Sequence, residues 1–132
     1  MNQEVENFKK IAKFTDLIAW QEGHKLVLLI YQITKDFPKE EIYGLISQMR
    51  RAAVSITSNL AEGFSRRSSK DKNNFYTMSL TSLIELQNQL LISKDVSYLT
   101  KETFLKIADQ SVTTQKLILG LMRATRIKKY ES

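Results

Sequence analysis

Apolar residues recur every three or four positions along most of this chain, which is the spacing of one face of an α-helix. Four long stretches carry the pattern, and they predict helices at about residues 16–36, 41–67, 69–94 and 101–128. The residues predicted to face inward are Leu17, Trp20, His24, Val27 and Tyr31 in the first helix, Leu45, Met49, Ala52, Ala53, Ile56, Leu60 and Gly63 in the second, Phe75, Met78, Leu83, Leu86 and Leu90 in the third, and Phe104, Ile107, Ser111, Ile118, Met122 and Thr125 in the fourth. The chain is therefore predicted to be all-α.

The predicted helices are joined by short connections that carry helix-end signals. Pro38 disfavours the helical conformation at Phe37, which ends the first helix. Ser68 and Thr100 are suited to cap the third and fourth helices, and Asp71 stands three residues after Ser68 as a capping-box partner. Short links between long helices favour antiparallel neighbours. We therefore predict an up-down-up-down antiparallel four-helix bundle.

The composition is consistent with one helical domain. The length of 132 residues suits a single bundle, which we assign to residues 15–132 after a polar tail at residues 1–14. Only four Gly and one Pro are present, which argues against the many tight turns of an all-β fold. The absence of Cys and the single His exclude disulfides, thiolate metal sites and a multi-histidine metal centre within one chain. No apolar run suits a membrane span or a signal peptide, so we expect a cytoplasmic protein.

The formal net charge is +6, and the excess of positive charge falls in two short clusters. These clusters, together called the basic end, are Arg66, Arg67, Lys70 and Lys72 around the second connection and Arg123, Arg126, Lys128 and Lys129 near the C-terminus. In the predicted topology both clusters lie at the same end of the bundle. Cations are stabilising near helix C-termini, which accounts for most of the basic end but not for Lys70 and Lys72 in a first helical turn. Two interpretations stay open: a binding site for nucleic-acid phosphate, or a solvated surface.

A polar stripe runs along the second predicted helix, formed by Ser55, Asn59, Glu62 and Arg66 at spacings of four, three and four. The spacing suits an ion pair between Glu62 and Arg66, and Asn59 is expected to fix packing against neighbouring backbone. Gly63 costs about 1 kcal/mol relative to Ala inside a helix, so we expect a close approach or a bend at this position. The stripe is therefore predicted to be structural.

No catalytic constellation accompanies this stripe. Glu62 has no second carboxylate nearby in the sequence, and neither a zinc-protease motif nor a glycine-rich phosphate loop is present. His24 is expected to be a packed, hydrogen-bonded side chain rather than a base or a metal ligand. We therefore predict a non-enzymatic protein with no catalytic residue, metal, cofactor or small-molecule substrate.

Several helix faces are more apolar than the core of one bundle requires. Residues 27–31 are apolar around the whole helix, and residues 83–84, 90–92 and 117–119 widen the apolar faces of the third and fourth helices. Scattered surface leucines are common in monomers, but a continuous excess is typical of a subunit interface. We expect a homo-oligomer.

Several segments of the chain also resemble a known protein family. They are the string from Arg50 to Arg67 (RRAAVSITSNLAEGFSRR), the segments Leu17–Gln21, Phe37–Leu45 and Ser82–Leu90, and the pair Tyr98 and Leu99. Together these look like the 23S ribosomal RNA intervening-sequence protein family of bacterial four-helix-bundle proteins, over about Phe14 to Arg126. Thr57 departs from the family pattern, in which a Pro is frequent at that position, and a more regular second helix is expected.

The resemblance implies a four-helix bundle that assembles into a homopentamer, in a family for which no enzymatic activity is established. It also implies a likeness in architecture to accessory proteins of diversity-generating retroelements, which are basic pentamers that bind nucleic acid and a reverse transcriptase. The hypothesis is a homo-oligomer that binds RNA or DNA phosphates through the basic end. Phe64 and Tyr130 are placed to stack on bases, although core packing and a chain terminus explain them equally. The alternative hypothesis is a protein-interaction scaffold that docks an acidic partner or a nucleic-acid enzyme.

Overall fold

The computed structural model describes the backbone of residues 10–131 and the side chains of residues 10–127. Within that part four α-helices follow one another and no strand is formed, which confirms the all-α prediction. Helix α1 spans Ile18–Thr34, α2 spans Leu45–Ser65, α3 spans Ser69–Asp95 and α4 spans Lys101–Glu131. A 3-10 turn at Phe14–Asp16 precedes α1. None of the described helices combines the length and the apolar composition that crossing a membrane requires.

The helix starts at α3 and α4 follow the predicted end signals. The Asp71 amide donates a hydrogen bond to Ser68 Oγ at 3.0 Å, and the Thr103 amide donates one to Thr100 Oγ1 at 3.1 Å. Each hydroxyl therefore satisfies an amide that has no partner inside its own helix. Both predicted caps are confirmed.

The connection between α1 and α2 differs from the prediction, which began the second helix at about residue 41. Lys39–Glu41 form a separate 3-10 turn, and α2 begins only at Leu45. Gly44 separates the two because its backbone, at φ −111° and ψ −115°, is not helical. From Leu45 onward α2 is continuous through Thr57, in agreement with the regular helix expected there.

Each helix packs against two others, α2 against α1 and α3, and α4 against α1 and α3. Between α2 and α3, Met49 contacts Ser93 and Gly63 contacts Tyr76, so residue numbers rise along one helix as they fall along the other. The pairs Asn73–Met122 and Gln87–Ser111 between α3 and α4, and Gly23–Thr57 and Thr34–Arg50 between α1 and α2, follow the same descending order. Antiparallel neighbours make contacts in this order.

All four helices contribute to one apolar core. Side chains with no solvent exposure are Leu26 and Ile30 on α1, Met49, Ala53, Ile56 and Leu60 on α2, Leu83 and Leu86 on α3, and Ile118 on α4. Apolar burial of this kind contributes about 1.5–3 kcal/mol for each large side chain. The core therefore sets the positions of the described ends of the four helices relative to one another.

The inward face of α1 differs in part from the prediction. Leu17 and Val27 are buried and the half-buried Trp20 packs against the core, as predicted, but His24 and Tyr31 are exposed, so the prediction is wrong at these two positions. Gly23 also faces inward, and a Cβ added there would lie 3.2 Å from the Thr57 Cγ2 on α2. A glycine at this position lets the two helices approach closely. His24 stacks on Trp20, with 4.8 Å between ring centroids, at the surface.

The inward face of α3 is also shifted from the prediction. Met78 is exposed and Phe75 is half-buried, whereas Tyr76 is only 2% exposed. Gly63 of α2 lies directly against the Tyr76 ring, so the close approach that the glycine permits draws this neighbouring aromatic residue into the core. The prediction assigned the core position one residue too early.

Candidate nucleic-acid interface

The described members of the basic end lie together at one end of the four helices. Arg66 and Arg67 lie in the connection between α2 and α3, Lys70 and Lys72 in the first turn of α3, and Arg123 and Arg126 in the later turns of α4. Asn73 Nδ2 donates a hydrogen bond of 3.1 Å to the Met122 carbonyl, which joins the start of α3 to this part of α4. The side chains of Lys128, Lys129 and Tyr130 lie outside the described residues.

Lys72 has a structural partner on the neighbouring helix. Its Nζ donates a 2.8 Å hydrogen bond to the Phe64 carbonyl and lies 5.3 Å from the centroid of the Phe64 ring. Phe64 is in the last turn of α2, where carbonyl groups have no helical partner. Lys72 therefore caps the C-terminus of α2, which explains a cation in the first turn of α3. The pattern of α3 by itself does not reveal this partner, which lies on a different helix.

Arg66 is held between two partners. Its Nη2 lies 3.6 Å from Glu62 Oε1, and its guanidinium carbon lies 4.5 Å from the centroid of the Phe75 ring. The ion pair expected from the sequence spacing is therefore present. Because both side chains are about half exposed (43% and 51%), the pair contributes no more than about 1 kcal/mol.

The other four described cations of the basic end face solvent. Arg67, Lys70, Arg123 and Arg126 are exposed, and no carboxylate among the described side chains lies within ion-pair distance of them. Unpaired cations at one end of a rod produce a positive potential that attracts anions from solution. These four residues therefore carry the electrostatic character of the site.

The polar stripe of α2 connects this helix to α3. Asn59 Nδ2 donates hydrogen bonds to the Ser55 carbonyl at 2.9 Å and to Ser55 Oγ at 3.0 Å. Ser55 Oγ in turn lies 2.8 Å from Ser82 Oγ on α3. The stripe thus forms a hydrogen-bonded bridge between two helices, and Glu62 continues it toward Arg66 at the basic end.

Asn59→Leu is expected to lower the free energy of unfolding by about 1 kcal/mol, because it removes the donor that orients Ser55 toward α3. Asn74→Leu, at an exposed position on α3, is the matched control and should change stability by less than about 0.5 kcal/mol. Urea unfolding followed by circular dichroism measures both. Equal effects of the two substitutions would show that the hydrogen-bonded bridge does not contribute to the free energy of unfolding.

Directly beneath the basic end lies a cavity of about 520 Å³ that is open to solvent. Leu17, Phe64 and Leu121 form apolar walls, and Arg67 and Tyr76 also line it. Burial raises the pKa of the Tyr76 hydroxyl to about 12, so this group is neutral at physiological pH. The sequence pattern did not predict Tyr76 as a site residue. Only the close approach expected at Gly63 indicated that another residue packs at this place, and in the structure that residue is Tyr76.

Other chemistry is sparse in the described part of the chain. Among residues 10–127 no group of three or more His, Cys, Asp or Glu side chains is placed to hold a metal ion. Glu62 is exposed beside Arg66, and His24 lies at the surface against Trp20. The basic end and the cavity beneath it are therefore the features from which a function is inferred.

Comparisons with known proteins agree with the fold. The model of the 23S rRNA-intervening sequence protein family matches residues 15–120 of this chain. The chain is also similar to a crystal structure from Bacteroides thetaiotaomicron, described as a protein with unknown function from the S23 ribosomal protein family. The TM-score is 0.73 at 18% sequence identity, and the match covers 80% of this chain and 96% of that chain. No curated protein is detectably similar.

Proposed function

This chain belongs to the 23S rRNA-intervening sequence protein family, and we propose that it is a non-enzymatic cytoplasmic homo-oligomer that binds RNA or DNA phosphates through its basic end. The single observation that carries this proposal is the group of four exposed cations with no carboxylate partner among the described side chains. An up-down-up-down antiparallel bundle brings these cations together. The descending contact pairs and the short connections between helices support that topology.

The arrangement of the cations suits a phosphate backbone rather than a single small anion. Arg67 and Lys70 lie at the start of α3, and Arg123 and Arg126 lie on α4 beside it. An arginine can donate two parallel hydrogen bonds to one phosphate, while a lysine acts as a point charge. Contacts of this kind position a nucleic acid without reading its sequence.

Arg123→Glu combined with Arg126→Glu is expected to lower the affinity for an RNA or DNA oligonucleotide at least tenfold at low salt, for all sequences alike. Each phosphate contact that is lost should also reduce the slope of log affinity against log salt by about 1. A fluorescence anisotropy titration at several salt concentrations measures both quantities. Arg66 is left unchanged because it also pairs with Glu62 and packs on Phe75.

Lys35→Glu combined with Lys39→Glu is the matched control, since both lysines are exposed in the connection after α1, at the opposite end. It changes the net charge by the same amount and should change affinity less than twofold. Equal losses in both variants would contradict a localised site. If the wild-type protein binds neither RNA nor DNA at low salt, the nucleic-acid proposal fails and docking to an acidic protein becomes the function to test.

Exposed apolar residues on α3 and α4 support the oligomer. Leu105, Val112 and Leu119 recur every seven residues on α4 and are 49%, 42% and 40% exposed. Ile84 and Leu91 have the same spacing on α3 and are 52% and 47% exposed. Leu91 and Val112 line one shallow groove between the two helices. One apolar side chain every two helical turns on adjacent helices forms a continuous face of the kind that subunits bury.

The proposed number of subunits is five, which follows from the family resemblance. A ring of identical chains joined by one repeated contact brings all copies of the basic end to the same side. The positive potentials then add, and several weak phosphate contacts act together on one strand. Assembly and nucleic-acid binding are in this way parts of one proposal.

A further inference from the structure

We propose that the cavity beneath the basic end accepts one unpaired base of the bound strand, so that the protein prefers single-stranded or looped nucleic acid to a continuous duplex. This inference rests on the proposed function, because the phosphates on either side of the base are held by the cations of the basic end. It goes further by naming the structural class of nucleic acid that the protein selects.

The dimensions and walls of the cavity suit a flat heteroaromatic ring. Its volume of about 520 Å³ lies within the range of roughly 300–1,000 Å³ that small-ligand pockets occupy. Leu17 and Leu121 supply apolar surface, and the half-buried Phe64 supplies the aromatic ring available for stacking, since Tyr76 is only 2% exposed. Unpaired bases are commonly bound by stacking on aromatic side chains, which tolerates any base. The cavity therefore suits base binding without strong sequence preference.

The polar groups are placed so that a nucleotide is recognised at both of its ends. Arg67 lines the cavity, is exposed to solvent and has no carboxylate partner among the described side chains, which suits a phosphate outside the cavity. Lys72 also lines the cavity, with its Nζ 2.8 Å from the Phe64 carbonyl. Thr125 also lines the cavity, and its Oγ1 donates to the Leu121 carbonyl at 2.8 Å, so the hydroxyl oxygen keeps the capacity to accept a hydrogen bond.

Charge complementarity decides which occupant the cavity takes. An apolar peptide would fill the apolar walls but would leave Arg67 and the neighbouring cations without counter-charges. A nucleotide satisfies both parts, since its base is apolar on its faces and its phosphates are anionic. Bases inside a duplex are paired and stacked and must be extruded before they can enter such a pocket. A strand that is already unpaired avoids this cost and should bind more tightly.

Ala124→Phe tests the cavity without changing the charge of the basic end. Ala124 is exposed and lines the cavity, so the larger side chain fills the space while the core stays intact. Leu121→Phe fills the cavity from its apolar wall and serves as a second variant. Ser58→Phe, at an exposed position on α2, is the control for an added aromatic side chain. Circular dichroism and light scattering establish that each variant folds and assembles.

The probes are a single-stranded RNA, a hairpin with the same sequence in its loop, and a blunt duplex of equal length, titrated at one salt concentration. We expect the wild-type protein and Ser58→Phe to bind the single strand and the loop at least tenfold more tightly than the duplex. Both cavity-filling variants should lose this preference and keep the duplex affinity of the wild type.

Three results would overturn the inference, each in a distinguishable way. If the wild type binds single strands and duplex equally, while Arg123→Glu with Arg126→Glu still abolishes binding, the phosphate-binding function stands and the cavity takes no base. If the cavity-filling variants weaken duplex and single-strand binding by the same factor, they disturb the surface as a whole and the cavity has no selective role. Absence of any binding by the wild type removes both proposals together.

Discussion

Gly63→Ala is expected to lower the free energy of unfolding by about 1–2 kcal/mol, whereas Gly120→Ala is expected to raise it by about 0.5–1 kcal/mol. A Cβ at residue 63 would lie 2.6 Å from Cε1 and 2.9 Å from Cδ1 of Tyr76. Tyr76 is only 2% exposed, so its ring cannot move aside without disturbing the core. A Cβ at Gly120 would have no described atom within 4 Å beyond its chain neighbours and the backbone of its own helix, so the substitution there improves the helix propensity of α4 without a clash.

Chemical unfolding in urea compares the two alanine variants with the wild type directly. A double substitution tests the physical cause: with Tyr76→Leu in place, Gly63→Ala should cost less than it does in the wild type, because the clashing ring is gone. An equal gain in stability from both glycine substitutions would mean that the approach of α2 to α3 is looser than these contacts indicate.

Leu91→Glu combined with Val112→Glu is expected to convert the proposed homo-oligomer into monomers with the chain mass of 15.3 kDa. Both side chains are exposed in the single chain, so the fold should tolerate the change. In the proposed oligomer the exposed part of each side chain would be buried, and losing this burial forfeits about 1 kcal/mol for each side chain. Introducing unpaired carboxylates there adds a desolvation cost. The expected result is therefore complete dissociation with the helix content unchanged.

Light scattering across micromolar concentrations measures the mass of each form. Tyr43→Glu is the control, since Tyr43 is 96% exposed in the connection before α2 and lies outside the apolar face. It should leave the mass of the wild type unchanged. A wild-type mass of one chain at all concentrations would refute the oligomer itself, and an unchanged mass in the double variant would move the interface to another face.

The sequence by itself determined the number of helices and most of their ends. The three-to-four-residue apolar period and the caps at Ser68 and Thr100 are local properties, because each depends on residues within one or two helical turns. Local spacing likewise predicted the pair of Glu62 with Arg66, which lie one turn apart on α2. The expectation of a close approach at Gly63 was also correct, since an interior glycine is costly without such a reason.

Only the tertiary structure decided which side of each helix faces the core and which groups meet across helices. The period of a helix specifies a stripe about a third of its circumference wide, and it leaves the rotation of that stripe open. On α1, Gly23 faces the core at its contact with Thr57, and His24 and Tyr31, which the sequence assigned to the core, face outward. Gly63 and Tyr76 meet in the same way between α2 and α3.

The candidate site likewise combines features that the sequence predicted with features that only the packed helices decided. The positions of the cations at one end follow from chain order and short connections, so the sequence predicted them together. The capping of α2 by Lys72 and the cavity beside Tyr76 depend on the distance between helices, which is fixed by side chains remote from one another in the sequence. Interhelical distance reflects the sizes of the residues at each crossing. The distance between two helices is therefore defined only after the helices have packed, and the local sequence does not contain it.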